Sequence, residues 1–354
     1  MKKQSPSRYS SLINRIALTL LVSCILIYFL GRIFSFSKWL TIAVGGYTIV
    51  ADIIFLVLEC VVTFLVVYFI PVKIFNYMQG NSFREKCIPA PKSILSKDLI
   101  LPVFALGLCA QFVGYAINST IVRAFTEYTG FGDQYEFFSG MKHGYQIVIY
   151  IISIAVIPAI FEELIFRKTF CDALAPYGPK TAIFVTSILF SLMHTSFERI
   201  FHTFICGLFC SWLYIGTKNI KLPMLLHFLN NLFAAIEVVL WYRVSEDAYS
   251  TARVVRLVIS LVVSIVCFIY LRAKRREQLD AERREAKSSD TFDEYLDKKI
   301  KYAHYTEMLP DENGEEVVSL STKQKISGFF SPAMIAFIVA VIIQMCYYLS
   351  FELV

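Results

Sequence analysis

Long apolar runs recur along the chain and are separated by short polar loops. Each run is close to the length of about 20 residues that a helix needs to cross a bilayer. Because lipid offers the backbone no hydrogen-bond partners, each run is predicted to be a helix. We therefore expect an all-α fold, a polytopic transmembrane helix bundle with about nine spans. The runs are Ile13–Phe34, Ile42–Ile70, Leu99–Val122, Tyr145–Phe166, Thr181–His194, Ile200–Tyr214, Leu222–Tyr242, Val254–Leu271 and Phe329–Ser350.

Composition supports the membrane interpretation. The 354 residues are 56% hydrophobic and only 18% charged, with a mean hydropathy of +0.59, whereas a soluble domain is about 25% charged. The net charge of +6 is assigned to basic loops and to the lipid bilayer as partner, so no nucleic-acid partner is expected. The nine cysteines form no CxxC pair and lie mostly in apolar runs, which predicts neither a disulfide framework nor a structural zinc site.

The charges of the loops predict the orientation. Basic residues gather in the N-terminal segment and in every second loop, while the loops between them hold more acidic residues. Positive loops face the cytosol. The pattern predicts a multi-pass protein of the plasma membrane with a cytosolic N-terminus and an external C-terminus. The acidic residues of the outer loops are Glu127, Asp133, Glu136, Glu246 and Asp247.

One stretch before the last span is rich in charge and reads as a cytosolic insert, partly helical and partly disordered. It sets the domain division that we predict. The division runs 1–98 for an N-terminal two-span region with a basic loop, 99–245 for a catalytic helix bundle, 246–271 for the eighth span, 272–327 for the charged cytosolic insert and 328–354 for the last span.

Three polar clusters interrupt the apolar runs, and ionisable groups inside spans are candidates for function. The first ends the fourth run, the second ends the fifth and the third lies inside the seventh. Their residues are Glu162, Glu163 and Arg167, then Phe190 and His194, then His227 and Asn231.

Helical geometry separates the two glutamates. Adjacent residues differ by about 100° around a helix, so Glu162 and Glu163 face different ways. Arg167 lies four residues after Glu163 and can pair with it. Glu162 is left without that partner, which suits a general base.

Hairpin lengths relate the clusters in depth. Counted from the turn between the fourth and fifth helices, Glu162 and His194 lie at similar heights. His227 is shallower, so the hairpin must protrude by about two turns for the three to meet.

The third cluster offers hydrogen-bond donors. His227 and Asn231 are four residues apart and share one helical face, where a neutral imidazole and an amide can donate to a developing oxyanion. Asn230 faces about 100° away and is expected to matter less.

At these residues the sequence resembles the CPBP family of CAAX-protease and bacteriocin-processing proteins, also called the type II CAAX prenyl endopeptidase or Abi family. The family pattern EExxxR, FxxxH and HxxxN is matched by Glu162-Glu163-xxx-Arg167, Phe190-xxx-His194 and His227-xxx-Asn231. The resemblance covers roughly residues 99–245. It implies an intramembrane endopeptidase acting on a membrane-bound peptide or protein.

The resemblance also implies roles for the matched residues. The counterparts of Glu162 and His194 activate water, and those of His227 and Asn231 form the oxyanion site. Glu163, Arg167 and Phe190 are then supporting residues. No cofactor is expected, and the alternative is a zinc ion held by Glu162, His194 and His227.

Other interpretations stay open at this point. His194, Glu198 and His202 follow one another at four-residue steps and form a rival metal constellation. A catalytically idle scaffold of the same family, of the immunity or surface-protein regulatory kind, is one alternative function. An ion-coupled transporter is another, with Pro158 as its candidate helix break.

Overall fold

The computed structural model describes residues 6–43, 62, 68–79, 97–129, 144–288 except 198 and 244, and 320–350. Every regular element in these ranges is a helix, so the predicted all-α fold is confirmed for them. The predicted second span, Ile42–Ile70, lies mostly outside the described residues. The main helices are α1 (Pro6–Ala43), α2 (Ile70–Gln79), α3 (Lys97–Thr129), α4 (Gly144–Ile151), α5 (Ile157–Glu163), α6 (Asp172–Leu174), α7 (Pro179–Met193), α8 (Ile200–Thr217), α9 (Lys221–Arg243), α10 (Glu246–Ser288), α11 (Thr322–Phe329) and α12 (Pro332–Ser350).

Several of these helices can cross a membrane. Within the described ranges, five are long and apolar enough to do so, in α1, α3, α8, α9 and α10. The pair α11 and α12 is bent by 60° and adds a sixth if it forms one span. The protein is therefore a multi-pass membrane protein, and the count of nine spans stays a prediction.

The fourth predicted run is not a regular α-helix. Two π-helices, Ile152–Val156 and Leu164–Cys171, flank α5. Pro158, the candidate helix break, is the second residue of α5 and has no N–H with which to bond the carbonyl of Ile154 one turn earlier. The last turn of α5 thus lies between two irregular segments of a kind that is frequent at functional sites.

Helices α7 and α8 pack closely against each other. A Cβ atom at Gly207 would lie 2.9 Å from the Cα of Ser187, so only glycine fits there without a shift of the backbone. One turn further, the hydroxyls of Thr186 and Ser211 are hydrogen-bonded at 3.1 Å. This contact fixes α7, which carries the second polar cluster, against the centre of the bundle.

The two ends of the described chain meet. The backbone N–H of Ala333 in α12 donates to the Asn14 side chain of α1 at 3.0 Å, and α11 packs on the same helix beside Tyr9. The first part of the predicted insert is helical, because α10 continues without a break to Ser288. Residues 289–319 lie outside the described ranges.

Candidate active site

The structure brings the first and third polar clusters together. Glu163 and Arg167 form the predicted pair, with 3.0 Å between Nε and Oε2, and both side chains are completely buried. The second carboxylate oxygen, Oε1, lies 2.9 Å from Nδ1 of His227. Glu163 therefore joins α9 to the broken fourth helix through one buried carboxylate, a contact that the sequence did not predict.

Glu162 faces a different direction, as its position in the helix predicts. The residue is 8% exposed, and its Oε2 atom has no hydrogen-bond partner among the described residues. The nearest basic atom is Nε2 of His227, at 4.0 Å, beyond hydrogen-bonding distance. This carboxylate is thus held inside the protein with an oxygen available to a water molecule or a substrate.

Phe190 joins the second cluster to the other two. Its ring centroid lies 4.8 Å from that of His194 and 5.6 Å from that of His227, edge to face in both cases. The guanidinium carbon of Arg167 lies 4.7 Å from the centre of the same ring. All three motifs therefore meet around one phenyl ring, which is buried.

His194 caps the C-terminus of α7, and its imidazole has a defined tautomer. Nδ1 lies 2.8 Å from the carbonyl oxygen of Phe190. Because a carbonyl oxygen can only accept, Nδ1 carries the hydrogen. In the neutral ring Nε2 is then the basic nitrogen, which is the form that accepts a proton from water.

The contact of His227 with Glu163 bears on its predicted role as a hydrogen-bond donor, which stays a prediction. The carboxylate of Glu163 is paired with Arg167 and acts as an acceptor, so Nδ1 of His227 donates to it. A neutral His227 would then present a lone pair at Nε2. It can donate toward an oxyanion only as an imidazolium, and with that charge the cluster of Glu162, Glu163, Arg167 and His227 is neutral overall.

Asn231 is fixed on two sides. Its Nδ2 donates to the carbonyl of Ile154 at 2.9 Å, and its Oδ1 accepts from Nδ2 of Asn230 at 3.0 Å. Asn230 is therefore linked to Asn231, and the expectation that it matters less than Asn231 stays a prediction. Adjacent helical residues do point apart, but an amide at one position reaches the amide at the next.

The depth of His227 is explained by a contact at the end of the bundle. Tyr214 donates to Asp172 at 2.8 Å, and Lys218 pairs with the same carboxylate at 3.5 Å. Glu163 lies nine residues before Asp172 and His227 nine residues after Lys218. The residues between Asp172 and α7 therefore extend beyond the turn between α8 and α9. This is the protrusion of the hairpin that the sequence required for His227 to reach the depth of Glu162.

The arrangement of possible metal ligands bears on the zinc alternative. Within the described residues, no group of three or more His, Cys, Asp or Glu side chains is arranged to hold a metal ion. This applies to Glu162, His194 and His227. The rival set with His202 includes Glu198, which lies outside the described residues.

Two further residues belong to the surroundings of the site and were not predicted as part of it. His202 in the first turn of α8 is within electrostatic range of His194 and His227, and its ring packs edge to face on Tyr115. Tyr68 is within electrostatic range of Glu162. No motif marked Tyr68, because it comes from a distant part of the chain.

The arrangement combines three chemical capacities. Glu162 and His194 offer proton acceptors, Asn231 offers an amide donor, and Arg167 with Glu163 offers a fixed charge pair beneath them. Because these groups lie among buried apolar side chains, their electrostatic interactions are screened less than in water. Such a set suits hydrolysis of a polar bond within the membrane.

Comparison with known proteins concerns the segment that carries this site. Residues 144–233 match the family model described as type II CAAX prenyl endopeptidase, Rce1-like. The chain is also 33% identical, over 98 residues, to the membrane-embedded CAAX protease MroQ of Staphylococcus aureus (strain USA300). That match covers 26% of this chain and 40% of the relative. No solved structure gives a significant match.

The matched segment and the site coincide. It begins at α4 and ends two residues after Asn231, so it contains every residue of the three motifs. The family match over residues 144–233 therefore supports the predicted resemblance to the CPBP family of CAAX-protease-like proteins.

Proposed function

We propose that this protein is an intramembrane endopeptidase that hydrolyses peptide bonds of membrane-associated peptides or proteins. The observation that carries the proposal is the meeting of the three motifs at the buried ring of Phe190, which contacts His194, His227 and Arg167. Glu162 lies 4.0 Å from His227. The family whose model matches residues 144–233 supports the same reaction.

The reaction begins with water. A water molecule lying between Glu162 and Nε2 of His194 loses a proton to this pair, and its oxygen forms a bond to the carbonyl carbon of the substrate. General base assistance of this kind contributes about 10²–10⁴-fold to a rate. The electron pair of the carbonyl bond moves onto its oxygen, which becomes the oxyanion.

The oxyanion is stabilised by donors on α9. Asn231 donates through its Nδ2 group, and His227 donates through Nε2 in its imidazolium form, which ionised Glu163 favours. When the tetrahedral intermediate collapses, the bond to the amide nitrogen breaks. The proton taken from water is delivered to that nitrogen, so the products are a carboxylic acid and an amine.

The substrate reaches the site through the lipid. Large apolar side chains are exposed along α10, with Val254, Val266 and Ile269 each 60–61% exposed, as expected for a surface that faces lipid. A substrate anchored in the same bilayer meets the protein by diffusion in the membrane plane. We propose a membrane-bound peptide or protein as the substrate class and the plasma membrane as the location.

The proposed topology has nine spans, a cytosolic N-terminus and an external C-terminus. Reporter fusions after Gly80, Asn219 and Ile300 should give cytosolic activity. Fusions after Tyr135 and at the C-terminus should give external activity. An external reading after Ile300 would rule out the nine-span arrangement, because it would place the charged insert outside.

The function is tested by comparing the peptides of cells that carry the wild-type protein with those of cells that carry Glu162→Ala. Loss of the catalytic carboxylate should remove a defined set of peptide fragments, while their uncleaved precursors accumulate in the membrane fraction. Quantitative mass spectrometry of both fractions measures this. Identical fragment sets at equal protein levels would contradict the proposal.

A further inference from the structure

Asn231 donates to a carbonyl that lacks one of its possible helical donors because of a proline. Ile154 lies in the π-helix Ile152–Val156, so the N–H groups four and five residues later are the helical donors near its carbonyl. The residue four positions later is Pro158, which has no N–H. The carbonyl accepts from Nδ2 of Asn231, at 2.9 Å. The break in the fourth run thus leaves acceptor capacity that a side chain of α9 uses.

The opposite side of the same amide is also fixed. Because a carbonyl only accepts, the contact with Ile154 fixes which atom of the Asn231 amide is nitrogen. Its Oδ1 must then face Asn230, and Asn230 must donate to it, as the 3.0 Å contact shows. Asn230 is 8% exposed, so water competes little for its donor.

These two contacts leave a single free donor. An amide nitrogen carries two hydrogens, and one of those on Asn231 is bonded to Ile154. The second forms no hydrogen bond with the residues that the structure describes. Because the oxygen and the nitrogen of the amide are both held by hydrogen bonds, the direction of this second N–H bond is also fixed.

We propose that Pro158 and Asn230 are positioning residues that hold the Asn231 amide so that its free N–H is aimed at the substrate oxygen. The inference rests on the proposed role of Asn231 as an oxyanion donor. Donors that are oriented in advance need no reorganisation during the reaction. A displacement of about 1 Å in such a group can cost about 10²-fold in rate.

Pro158→Ala tests the first contact. Alanine restores an N–H that competes for the Ile154 carbonyl and releases Asn231. We expect kcat to fall about 10-fold or more, with KM nearly unchanged and thermal stability equal or higher. Pro102→Ala is the matched control, since it removes a proline from inside α3 and should leave kcat unchanged.

Asn230 variants test the second contact. Asn230→Leu keeps the side-chain size but removes the donor, and kcat should again fall about 10-fold or more. Asn230→Gln retains an amide donor and should recover part of the rate. In an Asn231→Ala background, Asn230→Leu should cost nothing further, because it acts through Asn231. Losses that multiply in the double variant would overturn the inference.

The NMR signal of the Asn231 side-chain amide tests the inference independently of catalysis. The chain has eight asparagines, so ¹⁵N-asparagine labelling gives a small set of side-chain amide signals. The signal that disappears in Asn231→Ala should shift in Pro158→Ala and Asn230→Leu and stay in place in Pro102→Ala. An unmoved signal would overturn the inference whether or not the protein cleaves peptides. Normal turnover by Glu162→Gln would instead contradict the proposed function.

Discussion

Asn231→Ala should lower kcat by about 10²–10³-fold, which is the usual cost of removing one oxyanion donor. KM should change little, because the donor acts on charge that develops only in the transition state. Asn231 is partly buried and its loss also frees the carbonyl of Ile154. Steady-state kinetics on the reconstituted protein separates the two parameters.

A distant buried amide gives the control for Asn231. Gln344 lies in α12 and is 9% exposed, and α12 is outside the segment that matches the family. Gln344→Ala should therefore leave kcat unchanged. Equal losses in the two variants, or a loss at Asn231 that appears only in KM, would remove Asn231 from the oxyanion site.

Glu163→Gln should destabilise the protein by about 3–5 kcal/mol, the range for a buried ion pair that loses one partner. The variant keeps the shape of the side chain but leaves the guanidinium of Arg167 buried without its countercharge. It also weakens the contact that holds His227. The free energy of unfolding, measured in mixed micelles with increasing denaturing detergent, tests the loss.

The control for Glu163→Gln is an exposed ion pair in the helical segment that follows Glu163. Lys168 is paired with Asp172 at 3.4 Å, and its side chain is 62% exposed. Lys168→Gln should change the free energy of unfolding by no more than about 1 kcal/mol, as exposed pairs usually do. If Glu163→Gln were as mild as Lys168→Gln, Glu163 would not be the anchor of the cluster.

The helical content of the fold could be predicted because length and hydropathy decide it. The apolar runs that fall on described residues are helices. The bend between α11 and α12 could not be predicted, because it depends on how α12 meets Asn14 and α11 meets Tyr9, both in α1. The two π-helices also escaped prediction, since their hydrogen bonds span five residues instead of four and the segments are too short to leave a period in the sequence.

Part of the site followed from spacing alone. The pair of Glu163 and Arg167 was predicted by their separation of four residues, and the structure contains it. The tautomers of His194 and His227 could not be predicted, because each depends on an acceptor that folding brings near. The link between Asn230 and Asn231 was missed because a helical wheel describes directions and not the reach of a side chain.

The relative depths of the helices could be predicted only as a requirement for the three polar clusters to meet. The sequence required the hairpin before α7 to extend past its neighbour, and gave no reason why it should. The reason is Asp172, which binds Tyr214 and Lys218 at the far end of α8. Contacts between residues more than 40 positions apart carry this information, and no local pattern contains them.

Cleavage by the purified, full-length protein in lipid vesicles tests the central claim most directly. The substrate is a membrane-anchored peptide chosen from the precursors that accumulate in Glu162→Ala cells, and mass spectrometry follows its fragments. Glu237→Gln is the control for Glu162→Gln, since it too removes a buried carboxylate. Glu237 lies in α9 and pairs with Arg256. The folded fraction of this variant should retain cleavage.

Each reaction is run with and without a strong chelator. The wild type should cleave the peptide equally in both conditions, while Glu162→Gln, folded and inserted, should produce no fragments. Activity that is lost on chelation and restored by zinc would show that Glu162, His194 and His227 act as metal ligands and not as acid–base groups. Near-normal turnover by Glu162→Gln would contradict the mechanism.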